Sequence, residues 1–398
     1  MQINHGSTNT ETSPTDRLPD HFHRLWNMKV AEQIRAGVDV VRLDVGSPDL
    51  PPPDEVIAQL RQSSLDPDKH GYQPILGPDA LREAWVGMYA RTFGVSLDPA
   101  TDVLPLLGSK EGIFLLTMAL VDPGDIVLVP ALAYPTYEAA ARFAGAQIFR
   151  VPLKISNDSY LELDEIPPDI AQRSRLLWIN FPHNPTGATT TFRGLRQCLE
   201  FCCQHRILLC HDAAYAQVTY GEYPAPSMLQ LAGSRESAVE FNSLSKSFNM
   251  AGWRAGVLLG QHRALSAVAK LIPNLNSGSF GPINDASIAA LQMNEEWILN
   301  RNEVYRERRD FLLRTLNGFG CEARTPEAGL YVWARTPEGW GSLPFTSEIL
   351  SGAGVSLVPG TVFGPGGEGW FRISLTAPPE RLEIGVERLK SWWLRNLQ

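Results

Sequence analysis

The sequence predicts an α/β protein with a large domain built on a mostly parallel β-sheet, helices on both faces of that sheet, and a smaller α+β domain. Short apolar runs alternate with stretches of helical periodicity through the middle of the 398-residue chain, a pattern typical of parallel strands joined by crossover helices. The runs are continuous rather than alternating, as in strands buried on both faces. Towards the C-terminus a charged helical pattern and short strands between Gly/Pro turns replace them.

The middle of the chain is interpreted as five buried strands and three helices. The strands are Val103–Leu107, Ile126–Val129, Leu176–Phe181, Ile207–Cys210 and Val257–Leu259, and the helices are Glu111–Leu120, Tyr137–Ala144 and Phe192–His205. Sheets of this kind bind ligands at the carboxyl ends of their strands, so candidate functional residues are sought there.

The C-terminal part opens with a predicted amphipathic helix, and a Gly/Pro-rich segment, 276–282 (NSGSFGP), precedes it as the expected joint. The helix is Asn302–Leu316, followed by strands at Leu330–Trp333, Val355–Pro359 and Phe371–Ser374. The expected organisation is a flexible N-terminal arm (1–20), an N-terminal part of the small domain (21–48), a large domain (49–282) and a C-terminal small domain (283–398).

Composition excludes several classes of protein. With 44% hydrophobic and 20% charged residues the chain has enough apolar material for a large core. A net charge of −8 gives no bulk attraction to nucleic acid or anionic lipid. No apolar run approaches the ~20 residues that span a bilayer, and the polar first residues do not resemble a targeting signal. Five cysteines without a disulfide-like pattern favour the cytoplasm.

The first candidate site segment is LGSKEG (107–112), where a strand runs through Ser109 and Lys110 into a helix. Free backbone N–H groups at such a turn suit a phosphate, although a simple helix cap explains the pattern equally well.

The second candidate segment is NFPHNPTG (180–187), in which two prolines hold Asn184 rigidly. An ordinary Asx turn is the alternative for this segment.

The third segment is HDAAY (211–215), in which Asp212 ends a buried strand. A buried carboxylate should face a cation; a helix N-cap is the alternative. The fourth is SLSKSFNMAGWR (243–254), in which Lys246 precedes Arg254 by eight residues. A lysine in a dry site beside another cation has a lowered pKa and can act as a nucleophile, whereas the alternative is an exposed loop lysine.

Together the four segments describe a ligand with a phosphate, a cationic ring nitrogen, a phenolate-like oxygen and an aldehyde, which is pyridoxal phosphate. The segments NFPHNPTG, HDAAY and SLSKSFNMAGWR resemble the signatures of class I/II, fold-type I, pyridoxal-phosphate-dependent aminotransferases. The resemblance runs in family order from about Leu43 to Arg372. The segments HGYQ, GSKEG and RNEVYRERRD are most similar to the branch of LL-diaminopimelate or N-succinyl-diaminopimelate aminotransferases.

The resemblance implies a role for each matching residue. Lys246 resembles the lysine that holds the cofactor covalently, and Asp212 the partner of its ring nitrogen. The other implied positions are Asn184 and Tyr215 for the phenolic oxygen; Ser109, Lys110, Ser243, Ser245 and Arg254 for the phosphate; Tyr134 for stacking on the ring; Arg372, Gly46 and Asn184 for the substrate; and Tyr72 for the phosphate of a neighbouring subunit's cofactor. Tyr215 is counted with Lys246 and Asp212 as catalytic.

The implied activity is amino transfer between an α-amino acid and a 2-oxo acid, with 2-oxoglutarate as the expected acceptor and a homodimer with shared active sites as the expected assembly. A lyase, decarboxylase or synthase on the same fold remains an alternative, as do aspartate, alanine and aromatic substrates. A regulator with an appended DNA-binding domain is disfavoured by the short segment before Leu43.

No metal is expected: Cys198, Cys202 and His205 share a helical stripe with leucines, which favours a buried apolar face. For His183 and His211 a role beside the cofactor residues and a purely structural role both remain open.

Overall fold

The computed structural model describes residues 13–156 and 158–397. The strands are β1 (Val41–Arg42), β2 (Val103–Leu106), β3 (Ile126–Pro130), β4 (Gln147–Val151), β5 (Leu153–Lys154), β6 (Tyr160–Leu161), β7 (Ser174–Asn180), β8 (Leu208–Asp212), β9 (Ala238–Ser243), β10 (Gly256–Gly260), β11 (Ala323–Arg324), β12 (Tyr331–Arg335), β13 (Val355–Ser356), β14 (Val358–Pro359) and β15 (Trp370–Ser374). The α-helices are α1 (Phe22–Arg35), α2 (Asp54–Ser63), α3 (Asp79–Phe93), α4 (Ser109–Leu120), α5 (Thr136–Phe143), α6 (Pro168–Arg173), α7 (Phe192–His205), α8 (Ser234–Ser237), α9 (Leu244–Ser247), α10 (His262–Leu271), α11 (Gly281–Gln292), α12 (Glu296–Gly318), α13 (Ser342–Ala353) and α14 (Pro379–Leu397).

Seven strands form the central sheet, in the order β2-β10-β9-β8-β7-β3-β4. Neighbouring strands are parallel except at β10, which runs antiparallel to both β2 and β9. The mostly parallel sheet predicted from the sequence is therefore confirmed. The register places Asn180 beside Asp212, and Asp212 beside Phe241. The carboxyl ends of three central strands thus meet at one edge, where ligands of such sheets bind.

Two strands of this sheet lack the apolar runs on which the sequence prediction depends. β4 lies at the edge of the sheet, and only its last residue, Val151, is buried. β9 is buried throughout but carries Glu240 and Asn242, whose side chains are hydrogen-bonded inside the protein. Polar groups are accommodated at buried positions when each has a partner, so β9 is a central strand without being an apolar one.

Helices cover both faces of the sheet, as predicted. Helices α4, α5 and α10 pack on one face, and α7 packs on the other with Leu195, Cys198, Leu199 and Cys202 in a single apolar cluster. The interpretation of the two cysteines as part of a buried apolar stripe is confirmed. Burial raises the pKa of the Cys198 thiol to about 12, which disfavours the thiolate that metal binding requires.

The smaller α+β part is a four-stranded antiparallel sheet, β11-β12-β15-β14, and α12, α13 and α14 add apolar residues to its core. β1 pairs in parallel with β13, which joins segments from both ends of the chain, as predicted. The stretch 355–359, predicted as one strand, forms two, because β13 pairs with β1 whereas β14 pairs with β15.

The boundary between the core of the large domain and the core of the small domain falls within α12. The sequence predicts this boundary after residue 282. Helix α11 belongs to the large domain, since Ala286 lies in the same apolar cluster as Trp85 of α3. Farther along, Leu312 of α12 lies in the core of the small domain. The segment 276–282 does not join the domains, because its Gly281 already begins α11.

The N-terminal segment crosses the surface of both parts. The predicted flexible arm lies outside the described residues as far as position 12, whereas Pro14–Arg17 form a short 3₁₀ turn against α5. Helix α1 then packs near α13, where Trp26 Nε1 donates a hydrogen bond to Ser356 Oγ at 2.9 Å. Among residues 13–156 and 158–397, no helix combines the length and apolar character needed to cross a membrane.

Candidate active site

The carboxyl edge of the central sheet and the small domain border a cavity of about 630 Å³. All but one of the residues to which the resemblance assigns a role line it: Gly46, Ser109, Lys110, Tyr134, Asn184, Asp212, Tyr215, Ser243, Ser245, Lys246, Arg254 and Arg372. The exception is Tyr72, which is 92% exposed and lies outside the lining.

One end of the cavity is the N-terminus of α4. Gly108 precedes this helix at φ +96°, and no side chain of the described residues caps the first turn. A Cβ at Gly108 would clash with the guanidinium of Arg254, so glycine is needed for this close approach. The carboxylate of Glu111 is occupied elsewhere, because it accepts hydrogen bonds from the backbone N–H of Leu107 (3.0 Å) and from Asn276 Nδ2 (2.8 Å). The turn therefore favours an anion.

The side-chain charges around this turn are positive. Arg254 donates only to backbone carbonyls, those of Ala251 (2.8 Å) and Leu107 (3.2 Å). Burial, and then the charge of Arg254, lower the pKa of Lys110. Neither cation forms an ion pair within the described residues, so a bound phosphate would supply the missing negative charge. The same part of the lining contains the hydroxyl residues Ser109, Ser243 and Ser245.

Asp212 is a buried carboxylate, 5% exposed, at the end of β8. Its Oδ2 accepts a hydrogen bond from the Tyr137 hydroxyl at 2.7 Å, and its Oδ1 accepts one from the backbone N–H of Ala214 at 3.3 Å. Burial raises the pKa of Asp212, although the hydrogen bond from Tyr137 opposes the shift. No cation forms an ion pair with this carboxylate in the described chain, so the position suits a ligand with a cationic nitrogen.

The turn after β7 fixes Asn184 beside this carboxylate. Asn180 Nδ2 donates to the backbone carbonyl of Asp212 at 2.6 Å, and Asn180 Oδ1 accepts from the backbone N–H of Asn184 at 2.8 Å. The Oδ1 of Asn184 accepts a hydrogen bond from Arg372 Nη1 at 3.0 Å. Its Nδ2 has no partner among the described residues. Asn184 can therefore orient Arg372 and still donate to a ligand.

Lys246 lies in the short helix α9, directly after β9, and its Nζ donates to the carbonyl of Gly46 at 2.6 Å. The side chain is partly buried in the cavity wall, so the alternative of an exposed loop lysine is wrong. Burial lowers the pKa of Lys246; Tyr331 opposes this shift, and Arg372 adds to it. A larger fraction of this amine is consequently unprotonated near neutral pH, as nucleophilic and base chemistry require.

Arg372, on β15, is a buried guanidinium that is 3% exposed. It donates to two neutral acceptors, Asn184 Oδ1 and the carbonyl of Asp44, each at 3.0 Å. Its Nε is buried without a hydrogen-bond partner in the described chain. The guanidinium carbon lies 3.9 Å from the ring centroid of Tyr331. A fixed guanidinium without an acidic partner suits a carboxylate, which it can bind through two parallel hydrogen bonds.

Sequence reasoning missed Tyr331, which lies among the predicted residues. Its hydroxyl is 3.0 Å from that of Tyr215, and a Cβ at Gly46 would clash with it. Burial alone would raise the pKa of Tyr331, but Arg372 and Lys246 outweigh burial and the net shift is downward. Tyr331 lies in no recognisable motif, and only the pairing of β12 with β15 brings it to the cavity.

Tyr137, also missed, contacts the site through Asp212. It is fully buried and stacks on Trp178 at 4.8 Å between ring centroids. Burial raises its pKa far above the usual value, so the hydroxyl keeps the proton that it donates to Asp212. Tyr134 lies 5.8 Å from Tyr137, ring edge to ring face, and its predicted stacking on a bound ring stays a prediction.

The cavity lining also includes four polar residues that carry no sequence signal: His23, Asn27, Arg42 and Asp44. Arg42 binds both carboxylate oxygens of Asp44 at 2.7 Å and donates to Asn27 Oδ1 at 2.7 Å. Burial, and then the charge of Arg372, lower the pKa of His23 to about 4. His23 therefore presents a neutral imidazole at neutral pH.

Comparison with known proteins decides the family. The family model for aminotransferase class I and II matches residues 38–389. The chain belongs to this family. Aminotransferases of this family depend on pyridoxal phosphate. The cationic turn at the N-terminus of α4, the Asp212 carboxylate without an ion pair in the described chain, and the Lys246 amine in the same cavity fit that cofactor. The recognition of the family and of its cofactor from the sequence is confirmed.

Relatives of this aminotransferase match it over nearly the whole chain. The LL-diaminopimelate aminotransferase of Moorella thermoacetica is 41% identical over 94% of this chain and 96% of its own, and that of Dehalococcoides mccartyi is 40% identical over 95% and 97%. Among solved structures, apo BacF from Bacillus subtilis superposes with a TM-score of 0.91 at 33% identity, over 96% of this chain and 98% of its own. A probable N-succinyldiaminopimelate aminotransferase from Thermus thermophilus gives 0.87 at 34% identity, over 93% and 100%.

Proposed function

We propose that Lys246 is the catalytic amine of this aminotransferase, that Asp212 holds the ring nitrogen of pyridoxal phosphate and that Arg372 binds the α-carboxylate of the substrate. The observation that carries this proposal is that all three line one cavity and that none forms an ion pair within the described residues. We propose the following contacts for the remaining residues. Ser109, Lys110, Ser243, Ser245 and Arg254 bind the phosphate of the cofactor, Asn184 and Tyr215 bind its phenolic oxygen, and Tyr134 stacks on its ring. Gly46 and Asn184, together with Arg372, bind the substrate carboxylate.

Each proposed role follows from the chemistry of the side chain. The cofactor, when bound, supplies an electron sink for the negative charge that develops at the substrate Cα. Arg372, oriented by Asn184, fixes the substrate so that its Cα–H bond faces the lysine. Lys246 Nζ takes the proton from Cα, because its lowered pKa keeps more of the amine unprotonated. Asp212, when ionised, keeps the facing nitrogen protonated.

We further propose LL-diaminopimelate as the amino donor and 2-oxoglutarate as the acceptor. Relatives that are 40–41% identical over nearly their whole length are named LL-diaminopimelate aminotransferase. The cavity lining also includes polar groups, His23, Asn27 and Arg42, at which the distal end of a long, polar amino acid could bind. N-succinyl-diaminopimelate is the second candidate, because a solved relative that is 34% identical carries that name.

A donor screen with 2-oxoglutarate as acceptor tests this substrate. The expected result is that LL-diaminopimelate gives a higher kcat/KM than the N-succinyl derivative, aspartate, alanine or an aromatic amino acid, with one glutamate formed per donor consumed. A half-reaction without acceptor serves as the control, since an aminotransferase then gives stoichiometric pyridoxamine phosphate and a lyase gives ammonia and pyruvate. Turnover of alanine or an aromatic amino acid without turnover of either diaminopimelate would contradict the substrate proposal.

We propose that the enzyme acts as a homodimer in the cytoplasm. Tyr72 is 92% and Leu65 77% exposed, and Phe280 lies nearby, 5.8 Å from His70 between ring centroids. Exposed apolar groups gathered in this way are typical of a surface that another chain covers. The cysteines of the described chain are free, as is usual in the reducing cytoplasm.

Tyr72 provides the test of shared active sites. The hydroxyl of Tyr72 does not reach the cavity of its own chain, so Tyr72→Phe should weaken cofactor binding only if Tyr72 reaches the cavity of a second copy. The expected loss is roughly 1 kcal/mol for one hydrogen bond, or about fivefold in the Kd of the cofactor. Light scattering should show a dimer for both proteins. Tyr160→Phe, at a hydroxyl remote from the cavity, is the control. A monomeric wild type, or an unchanged cofactor Kd in Tyr72→Phe, would contradict the proposal.

A further inference from the structure

Behind Asp212, on the neighbouring residue of β8, lies a buried histidine that the site described above does not use. His211 is fully buried, and so is Glu240, which faces it from β9. His211 Nδ1 is 2.9 Å from Glu240 Oε2, and His211 Nε2 is 3.1 Å from the carbonyl oxygen of Phe181. Both ring nitrogens of His211 therefore face acceptors.

The protonation of this pair follows from its partners. A carbonyl oxygen can only accept, so Nε2 must carry a proton. Glu240 accepts three further hydrogen bonds, from the Tyr89 hydroxyl (2.8 Å), the Ser227 hydroxyl (2.8 Å) and the backbone N–H of Met228 (2.7 Å). Several donors on one carboxyl group stabilise its ionised form. Opposite an ionised Glu240, Nδ1 has to donate as well, and this hydrogen-bond pattern is that of a doubly protonated imidazole.

A second argument gives the same result. A carboxylate with no solvent exposure needs a compensating cation, and within the described chain the sole ion-pair partner of Glu240 is His211. The Tyr89 hydroxyl cannot change this balance, because burial raises its pKa far above the usual value. His183 provides the contrast: its Nδ1 lies 2.8 Å from the Thr186 hydroxyl, which can donate to it, and burial lowers its pKa to about 4, so that it is neutral.

We propose that His211, held as a cation by Glu240, is a positioning residue that keeps Asp212 ionised opposite the ring nitrogen of the cofactor. Burial raises the pKa of Asp212, whereas the charge of His211 lowers it. The hydrogen bond to Phe181 also ties β8 to the turn that carries Asn184. This inference rests on the role proposed above for Asp212. It adds that the positive charge of His211 keeps the Asp212 carboxylate ionised.

The protonation state can be measured in the wild-type enzyme without relying on activity. In ¹⁵N-histidine-labelled protein at about pH 8, well above the usual titration of an imidazole, the expected spectrum shows a histidine ring with both nitrogens protonated. If every histidine ring is neutral at that pH, the proposal is overturned. The outcome requires no variant and is therefore independent of whether a variant folds.

The functional consequence is tested with His211→Gln, which keeps a donor for Phe181, and with Glu240→Gln, which removes the carboxylate. Loss of the cation raises the proton affinity of Asp212, so the acid limb of the kcat–pH profile should move to higher pH by about one unit, and kcat at a fixed pH on that limb should fall by up to about tenfold. His183→Gln, at an equally buried but neutral ring, should leave the acid limb in place.

These outcomes separate a purely structural role from a charge effect. A structural role predicts lower thermal stability with an unmoved acid limb, and that result would overturn the proposal. The profile can be followed with whichever amino acid the wild type uses, so an error in the proposed substrate does not affect it. If Asp212 does not contact the cofactor, Asp212→Asn leaves kcat unchanged, and that outcome contradicts the proposed function itself.

Discussion

Lys246→Ala should reduce kcat by roughly four orders of magnitude or more, because the variant loses both the amine that holds the cofactor and the base that moves the proton at the substrate Cα. Single-turnover kinetics with the amino donor measures the effect. Added methylamine should restore part of the activity, since a small amine can enter the space left by the side chain. In the cofactor-free wild-type enzyme, the lowered pKa of Lys246 predicts that the rate at which this amine captures pyridoxal phosphate rises with pH, because only the unprotonated amine attacks the aldehyde.

The control for this variant is Lys270→Ala, which removes an exposed lysine from α10 and should leave kcat unchanged. A Lys246→Ala enzyme that retains more than a few per cent of wild-type turnover would contradict the assignment, as would equal loss in the control. Circular dichroism of both variants establishes that any loss reflects chemistry rather than folding.

Asp212→Asn should lower kcat by roughly 10²–10⁴-fold, the rate equivalent of about 3–5 kcal/mol for breaking a buried charge pair. Asparagine preserves the shape of the side chain and can still accept a hydrogen bond from Tyr137, but it cannot stabilise a protonated ring nitrogen. The bound cofactor should also show a changed visible absorption spectrum, because the charge state of its ring depends on this contact.

Although Asp212→Asn should lower kcat, it should not lower the stability of the cofactor-free enzyme. The pKa of Asp212 is raised in the folded chain, so ionisation of this carboxylate costs folding free energy as pH rises from its unfolded pKa through the folded one. At neutral pH the cofactor-free Asp212→Asn variant should therefore melt at the same temperature as wild type or higher. A large loss of stability together with unchanged kcat would contradict the proposed role; Asp164→Asn, at an exposed position, is the control.

The site could be predicted from the sequence to the extent that its residues lie in continuous segments at strand ends. Asp212 is the last residue of β8, Lys246 lies in the short helix that follows β9, and Asn184 lies in the turn that follows β7. A parallel sheet places such ends side by side. Local sequence therefore carries both the residue type and, through the fold class, its position.

Other site residues could not be predicted because only tertiary contacts bring them to the cavity. Tyr331 reaches Tyr215 from a different sheet, and Tyr137 reaches Asp212 from the first turn of α5. His23 lies on an N-terminal helix that packs over the small domain. None belongs to a spacing pattern that distinguishes it from an ordinary core or surface residue.

The fold shows the same limit at β9 and α11. β9 was not predicted because Glu240 and Asn242 interrupt its apolar run, and their hydrogen-bond partners lie far away in sequence. The segment 276–282 has the composition of a linker, yet α11 begins within it and packs on the large domain. Composition indicates where the chain can turn but not which core the next helix joins.

The central claim is that the amine of Lys246 holds the cofactor. Borohydride treatment of the enzyme loaded with pyridoxal phosphate, followed by peptide mass mapping, measures this directly. The account predicts a single adduct on the peptide that contains Lys246, with the other lysines, including Lys110 in the phosphate turn, unmodified. Absence of an adduct, or an adduct on another lysine while Lys246 stays free, would contradict it.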